Sequence, residues 1–339
     1  MTNGSSQGLF VIVAVVIFGI FVLISYVLFR DTLKPSLANI FTDSLEQATD
    51  SLKGEGVSTD LEENSIFNFD KTTGTITGFV EGYIHNGTTL NIPQKIGGVA
   101  VKHIKSEAFF DATFTSVNLP EGLESIGDMS FFKSNVTKLT IPNSVKYIGG
   151  SAFENSEIKT LDLGSGVETI HSFAFTNSRL SKLIIPNSVK YIGGSAFGNP
   201  VNYSTMNLNL TLGNNVEHIG YSAFESYIID TLVIPDSVKI IEDDAFGIIK
   251  KLTLGNGIET IGGRAFYGLE TADALIIPDS VKTIGYKSFG KSKANKLILS
   301  KNIESIGDYA FGEVDLTNLL DKSDYKNLNL VGENNPIFK

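Results

Sequence analysis

Hydrophobic and polar positions follow two different rhythms along the chain, and the change of rhythm divides it. Residues 9–29, LFVIVAVVIFGIFVLISYVLF, hold no charged side chain over 21 positions. At 1.5 Å per residue the run makes about 31 Å of helix against a hydrocarbon core of about 30 Å. It predicts a membrane-spanning helix behind a short tail, 1–8. The run is longer than the apolar part of a usual secretory signal, no Lys or Arg precedes it and no A-x-A-like site follows, which favours a retained anchor. Leu37, Ile40, Phe41, Leu45, Ala48 and Leu52 then recur every three or four positions, with Asp43, Glu46 and Asp50 off the stripe. That is the spacing of an amphipathic helix. The polar stretch KGEGVSTDLEENS reads as a linker, so 30–65 is expected to be a stalk.

From residue 66 the helical rhythm gives way to short alternations inside a long repeat. The pattern I-x-x-x-A/S-F occurs ten times, with Ile at 104, 126, 148, 170, 192, 219, 241, 261, 284 and 306. Ten of the 23 Phe therefore occupy one repeat position: Phe109, Phe131, Phe153, Phe175, Phe197, Phe224, Phe246, Phe266, Phe289 and Phe311. A small residue always precedes the ring, which lets rings of stacked coils lie above one another without overpacking. Upstream of each Ile stands an apolar alternation such as Leu139–Ile141 or Leu297–Leu299. It predicts one short strand per coil and a parallel sheet running along a solenoid. Gly127, Gly149, Gly193, Gly220, Gly262, Gly285 and Gly307 read as permissive backbone at a turn.

A second period lies over the first. Residues 141–153 and 185–197 are both IPNSVKYIGGSAF. Two places before each repeat Ile the residue reads Lys102, Glu124, Lys146, Glu168, Lys190, Glu217, Lys239, Glu259, Lys282, Glu304, and most Lys copies carry I-P where most Glu copies carry L-G. The unit is thus a pair of coils. Equivalent residues in stacked coils sit about 4.8 Å apart, so a uniform Lys column would repel along its length, whereas alternation gives each Lys two Glu neighbours. Exposed pairs contribute only about 0.2–1 kcal/mol each, which makes the ladder a device for register.

The repeat L-x-I/L-P-x-S-V-x-x-I-G-x-x-A-F, as in LTIPNSVKYIGGSAF at 139–153, resembles the BspA-type leucine-rich repeats, and GTITGFVEGYIHNGTTLNIPQKIGGVAVKHIKSEAF at 74–109 is similar to the family's N-terminal opening. The likeness spans residues 66–320. It implies an α/β repeat solenoid, mostly β, right-handed, of about ten 22-residue coils, with an N-terminal cap from 66 to about 100 and a C-terminal cap or tail at 321–339. It also implies a surface protein, attached to membrane or wall, that binds host or matrix proteins or other cells. The Cys of some family repeats and a C-terminal wall-sorting motif are missing, so attachment is expected through the N-terminus.

Composition and charge narrow the function. The formal net charge of −10 argues against nucleic acid, whose phosphates demand a basic surface. With no Cys there is neither disulfide nor thiolate–zinc site. His85, His103, His171 and His218 form no motif, and no phosphate loop, nucleophile elbow or calcium loop is present. The chain is therefore read as non-catalytic and without a cofactor. Binding remains. If Leu and Ile flank it inward, the central residue of each short strand points out, giving the candidate partner-binding series Thr140, Asp162, Ile184, Thr211, Val233, Thr253, Ile276 and Ile298, headed by Asn118. Its C-terminal half is unusually apolar for outward positions, and exposed apolar surface on a solenoid tends to mark a partner site. The one spacing of 27 marks an insertion, NPVNYSTMN at 199–207, with Tyr203 and Met206 expected at the tip of a bulging loop.

The expected partners are a surface, matrix or host protein and, through residues 9–29, the lipid bilayer. The expected place is a single-pass membrane protein with its repeats outside a bacterial cell. Arg30 and Lys34 follow the apolar run and favour the opposite orientation, which leaves an intracellular membrane-tethered scaffold open. A pilin-like or structural subunit assembling through its N-terminal helix is a further alternative, since Gly8–Leu9 mimics a processing site, although Val13 stands where such subunits usually carry Glu.

Overall fold

The computed structural model describes residues 66–85, 87–198, 206–270, 274–314 and 319–338. The expected membrane span at 9–29, the stalk at 30–65 and Tyr203 lie outside the described residues. No helix among the described residues is long and apolar enough to cross a membrane.

Each coil contributes at least two strands, not one, and in the middle of the solenoid Met206–Asn207, Phe224–Ile229 and Phe246–Ile249 pair in a further three-stranded sheet. The first of the two is the expected L-x-I/L strand. The second is a pair of residues ending in the repeat Ile, such as Tyr147–Ile148 or Thr169–Ile170, and it builds the longer sheet. Thirteen strands run in that sheet. After an antiparallel opening pair, Phe67–Asp70 on Thr75–Phe79, every pairing is parallel and in register. Ile76 faces Ile104, Ile104 faces Ile126, and the series continues Ile on Ile to Ile306 on Val331. The L-x-I/L strands form a four-stranded sheet over Thr89–Asn91, Ser116–Asn118, Lys138–Thr140 and Thr160–Asp162. Beyond it they pair two by two: Lys182–Ile184 with Asn209–Thr211, Leu232–Val233 with Leu252–Thr253, and Ala274–Ile276 with Lys296–Ile298. The expected unbroken sheet on this side is thus divided, and in its C-terminal half the breaks fall between two-coil units. The helical component of the expected α/β class is reduced to one 3-10 turn, Lys322–Asp324, among the described residues.

The core is a column of rings. Successive repeat Phe lie 5.0–5.6 Å apart from Phe109 to Phe311, nearly parallel at most steps. All ten are buried. The N-terminal end of the column is closed by Phe67 and Phe79, with centroids 6.0 and 4.9 Å from that of Phe109. At the C-terminal end Leu330–Val331 adds the last strand and Ile337 is fully buried.

The glycines after the repeat Ile are present for a reason other than turn flexibility. None has a left-handed backbone. A Cβ at Gly127, Gly149, Gly193, Gly220, Gly262, Gly285 or Gly307 would lie 2.4–2.7 Å from backbone of the preceding coil. Close approach between coils excludes the side chain. The left-handed position is the residue before the small one, where Glu107, Met129, Ser151, Phe173, Ser195, Ser222, Asp244, Arg264, Lys287 and Tyr309 all have φ between 51° and 62°. Such a conformation costs about 1–2 kcal/mol for a residue with a Cβ. The hydrogen-bond ladder helps to hold it: Met129 N–H donates to the Gly150 carbonyl, Ser151 N–H to Ser172 and Phe173 N–H to Gly194.

Close approach also explains the two-coil period. A Cβ at Gly164, Gly213 or Gly255 would lie 2.3 Å from the carbonyl oxygen of Pro142, Pro186 or Pro235 in the coil before it. The residue after that Pro then caps the next coil: Asn143, Asn187, Asp236 and Asp279 side chains accept from the N–H groups of Ser165, Asn214, Asn256 and Lys301 at 2.7–2.9 Å. Ser300 replaces the glycine after Pro278 and is buried, its hydroxyl donating to the Val281 carbonyl at 2.7 Å.

The Lys/Glu ladder runs beside the long sheet. Lys102–Glu124, Lys146–Glu168 and Lys282–Glu259 approach to 2.9, 3.4 and 3.3 Å, with every side chain about half exposed. The Lys102 ammonium holds the Glu124 carboxyl below its ordinary range. Tyr227 occupies the core three residues past Phe224, where Ser134, Ser156 and Ser178 stand in earlier coils. It is fully buried, and its hydroxyl donates to the Ser178 carbonyl, 3.3 Å away. Burial pushes its phenol up to about 12.

Three outcomes follow for stability. Phe197→Ala leaves a hole in the middle of the column and is expected to cost about 3–5 kcal/mol in urea unfolding; a loss below about 1 kcal/mol would remove the ring column from the core. Glu168→Lys places three lysines in adjacent coils and is expected to lower the melting temperature in low salt by the equivalent of about 1 kcal/mol or less, an effect that vanishes near 1 M salt. For Tyr227 the phenol is neutral in both states below pH about 10, and between about 10 and 12 only the unfolded chain ionises, so stability falls as pH rises through that window. Tyr227→Phe is expected to lose about 0.5–1.5 kcal/mol at neutral pH and to show a shallower alkaline decline; parallel alkaline curves for the two proteins would contradict the burial.

Candidate interaction face

On the L-x-I/L strands the side chains alternate inward and outward as period-two geometry requires. Leu139 and Ile141, Leu183 and Ile185, Leu232 and Ile234, and Leu275 and Ile277 are buried. The residues between them point to solvent. Asn118, Thr140, Asp162, Ile184, Thr211, Val233, Thr253, Ile276 and Ile298 are all exposed. Pairing sets them side by side: Thr140 with Asp162, Ile184 with Thr211, Val233 with Thr253, and Ile276 with Ile298. The four apolar members keep 41–57% of their surface. Large β-branched side chains this open, recurring along one face, form a stripe of apolar surface.

A second outward column lies on the same strands, two residues earlier, and the sequence reading passed over it. It runs Ser116, Lys138, Thr160, Lys182, Asn209, Thr231, Lys251, Ala274 and Lys296; Ser116 is half-buried and the rest are exposed. Its signal was available in the alternation that placed the first column: if Ile184 points out, so does Lys182. A cleft of about 350 Å³ lies at the N-terminal part of this face, lined by Asn118, Glu121, Lys138, Thr140 and Pro142 among others.

Met206 does not belong to the stripe. It begins the strand Met206–Asn207, faces Tyr227 in a parallel pairing and packs half-buried against the core, so it is not at the tip of a bulging loop. The repeat after the insertion pulls the chain back into register at this point, and strand pairing wins over loop.

Three of the four histidines, His103, His171 and His218, stand beside the long sheet, whereas His85 packs in the N-terminal cap, stacked on Phe79 at 5.9 Å and edge-on to Phe114 at 5.8 Å. Tyr147, His171, Tyr191 and His218 stack in successive coils with centroids 4.8, 6.1 and 4.9 Å apart. His218 Nε2 meets Glu242 Oε1 at 2.8 Å, while Glu242 Oε2 accepts the Tyr221 N–H at 2.8 Å. His103 Nδ1 meets Ser125 Oγ at 2.9 Å. The rings face one another along the stack, so each is engaged by its neighbours. Among the described residues no three His, Cys, Asp or Glu side chains converge on one point that could hold a metal ion.

The family described as BspA type leucine rich repeat region matches residues 102–227, 201–251 and 247–332, with six copies. Among solved structures the chain is similar to the pneumococcal vaccine antigen PcpA, at 20% identity over 78% of this chain and 94% of that one, with a TM-score of 0.40. It is similar to a leucine-rich repeat protein from Bacteroides ovatus at 20% identity, over 78% and 88% of the two chains, with a TM-score of 0.38. A third is the leucine rich repeat protein of T. pallidum, at 17% identity over 76% and 89%, with a TM-score of 0.31. No curated protein matches the chain.

Proposed function

The chain belongs to the BspA-type leucine-rich repeat family, and we propose that it is a non-catalytic, membrane-anchored protein that holds its solenoid outside a bacterial cell to bind another protein or to adhere. The observation that carries the reading is the stripe of Ile184, Val233, Ile276 and Ile298. Buried positions on the same strands supply the core, so these four are not needed for folding, and open β-branched surface of this extent favours a partner that covers it. The uncharged run at 9–29 supports the anchor. Solenoids of this kind present an extended face to macromolecules, not an enclosed pocket.

Location is tested by protease treatment of intact cells. Disappearance of the repeat domain supports display outside. Survival, with cleavage once the cells are lysed, overturns it and leaves the membrane-tethered intracellular scaffold that Arg30 and Lys34 favour. The face is tested by adhesion of cells carrying the V233T/I276T/I298T variant to surfaces coated with extracellular-matrix protein. The expected result is a loss of about tenfold or more, equivalent to about 1.4 kcal/mol, with the melting temperature unchanged. Adhesion equal to that of the parent would take the stripe out of the binding site.

A further inference from the structure

Two columns of lysine run along this solenoid, and they handle repulsion differently. Beside the long sheet Lys alternates with Glu on every coil, so the column is close to neutral. On the short-strand face Lys138, Lys182, Lys251 and Lys296 are separated by Thr160, by Asn209 and Thr231, and by Ala274. Neutral spacers hold the charges two or three coils apart, about 10–14 Å at 4.8 Å per coil, near the Debye length at 0.1 M salt. Spacing relieves the repulsion without cancelling the charge. None of these four lysines joins an ion pair among the described residues.

Acidic residues are scarce on the same face. From Thr160 to Ile298 the two outward columns contain one acid, Asp162. The chain as a whole holds 37 Asp and Glu against 27 Lys and Arg, so the depletion runs against composition. Nearby acids are committed elsewhere: Asp230 pairs with Lys250 at 2.6 Å, and Asp236 and Asp279 accept backbone N–H groups at 2.7 and 2.9 Å. Lys182 and Lys296 stand two residues from Ile184 and Ile298, so cation and apolar side chain lie about 6.5–7 Å apart. Lys251 has Thr253 at that place, with the exposed Val233 of the preceding coil paired beside that Thr.

Resting on the reading that this face binds protein, we propose that its partner is an acidic protein surface whose carboxylates meet Lys182, Lys251 and Lys296 while its apolar side chains cover Val233, Ile276 and Ile298. Complementary charge steers the encounter and rejects basic competitors, and the apolar contact supplies the retention. A simple polyanion would satisfy only the lysine column.

The full chain in detergent is the material for the test, with a random copolymer of Glu and Tyr, poly-L-glutamate, poly-L-lysine and heparin as probes. The copolymer is expected to bind more tightly than poly-L-glutamate and to lose about tenfold or more of its affinity between 50 and 500 mM salt, and poly-L-lysine is expected not to bind. K182E/K251E/K296E should abolish copolymer binding and K182Q/K251Q/K296Q should reduce it, the neutral variant guarding against misfolding of the reversed one. V233T/I276T/I298T should bring the copolymer down to the level of poly-L-glutamate. Unchanged copolymer affinity in both lysine variants overturns the proposal, as does heparin binding as tightly as the copolymer and indifferent to V233T/I276T/I298T. The matrix-adhesion assay separates the two readings. If the lysine variants adhere normally while V233T/I276T/I298T does not, the acidic partner is wrong and the face stands. If all variants adhere normally, the face itself is wrong.

Discussion

Backbone lying on backbone, coil after coil and in register, is the constraint on which the remaining features depend. Once Ile148 sits over Ile126 and Ile170 over Ile148, every other repeat position is forced into a column of its own kind. Rings stack on rings at 5.0–5.6 Å, the small residue before each ring makes that possible, and the N–H groups of one coil find the carbonyls of the next. The contact is close enough to dictate residue size. Where a coil passes over the Pro142, Pro186 or Pro235 carbonyl there is no room for a Cβ, and the alternation of proline and glycine coils follows from that geometry.

How far the fold was legible in the sequence depends on whether a feature shows itself within one coil or only between coils. The ten Phe, the inward Leu and Ile and the outward series at Thr140 to Ile298 were legible because repetition identifies a column and period two assigns its side. The long sheet was not, because its strands are two residues long, as in Ser125–Ile126 and Thr260–Ile261. Two residues cannot display an alternation, and the glycine that follows most of them resembles a turn. The same blindness affected the glycines: their requirement is set by atoms of the neighbouring coil, some 20 residues away in sequence, and no local propensity encodes it. The lysine column was legible in principle from the same alternation as the Ile stripe, yet Lys next to a strand start reads as ordinary solvation until its neighbours in space are known to be poor in acid.

Columns also change what a surface residue means. On an ordinary domain a single exposed Ile is unremarkable, since more than half of any folded surface is apolar. In a solenoid the equivalent position returns about every 4.8 Å, so a modest preference at one repeat site becomes a stripe tens of ångströms long. The same amplification applies to charge. An uncompensated lysine column would destabilise the stack if its members stood on adjacent coils, and an alternating one gives no net field. Neutral spacing is the arrangement that keeps the field and avoids adjacent repulsion.

The division of labour between columns separates positions fixed by packing from positions left open to solvent. Inward positions are fixed by contact with the coils above and below, and the glycine and left-handed positions by backbone geometry. The outward positions of the short strands answer to neither. Their strands pair within two-coil units and break between them in the C-terminal half, and it is there that Ile184, Val233, Ile276 and Ile298 replace the polar residues of the N-terminal coils. The long sheet, continuous from cap to cap, carries the Lys/Glu ladder and the Tyr–His stack, side chains that mostly engage one another. One side of each coil is therefore committed to holding register, and the other is free to vary in composition without disturbing the stack.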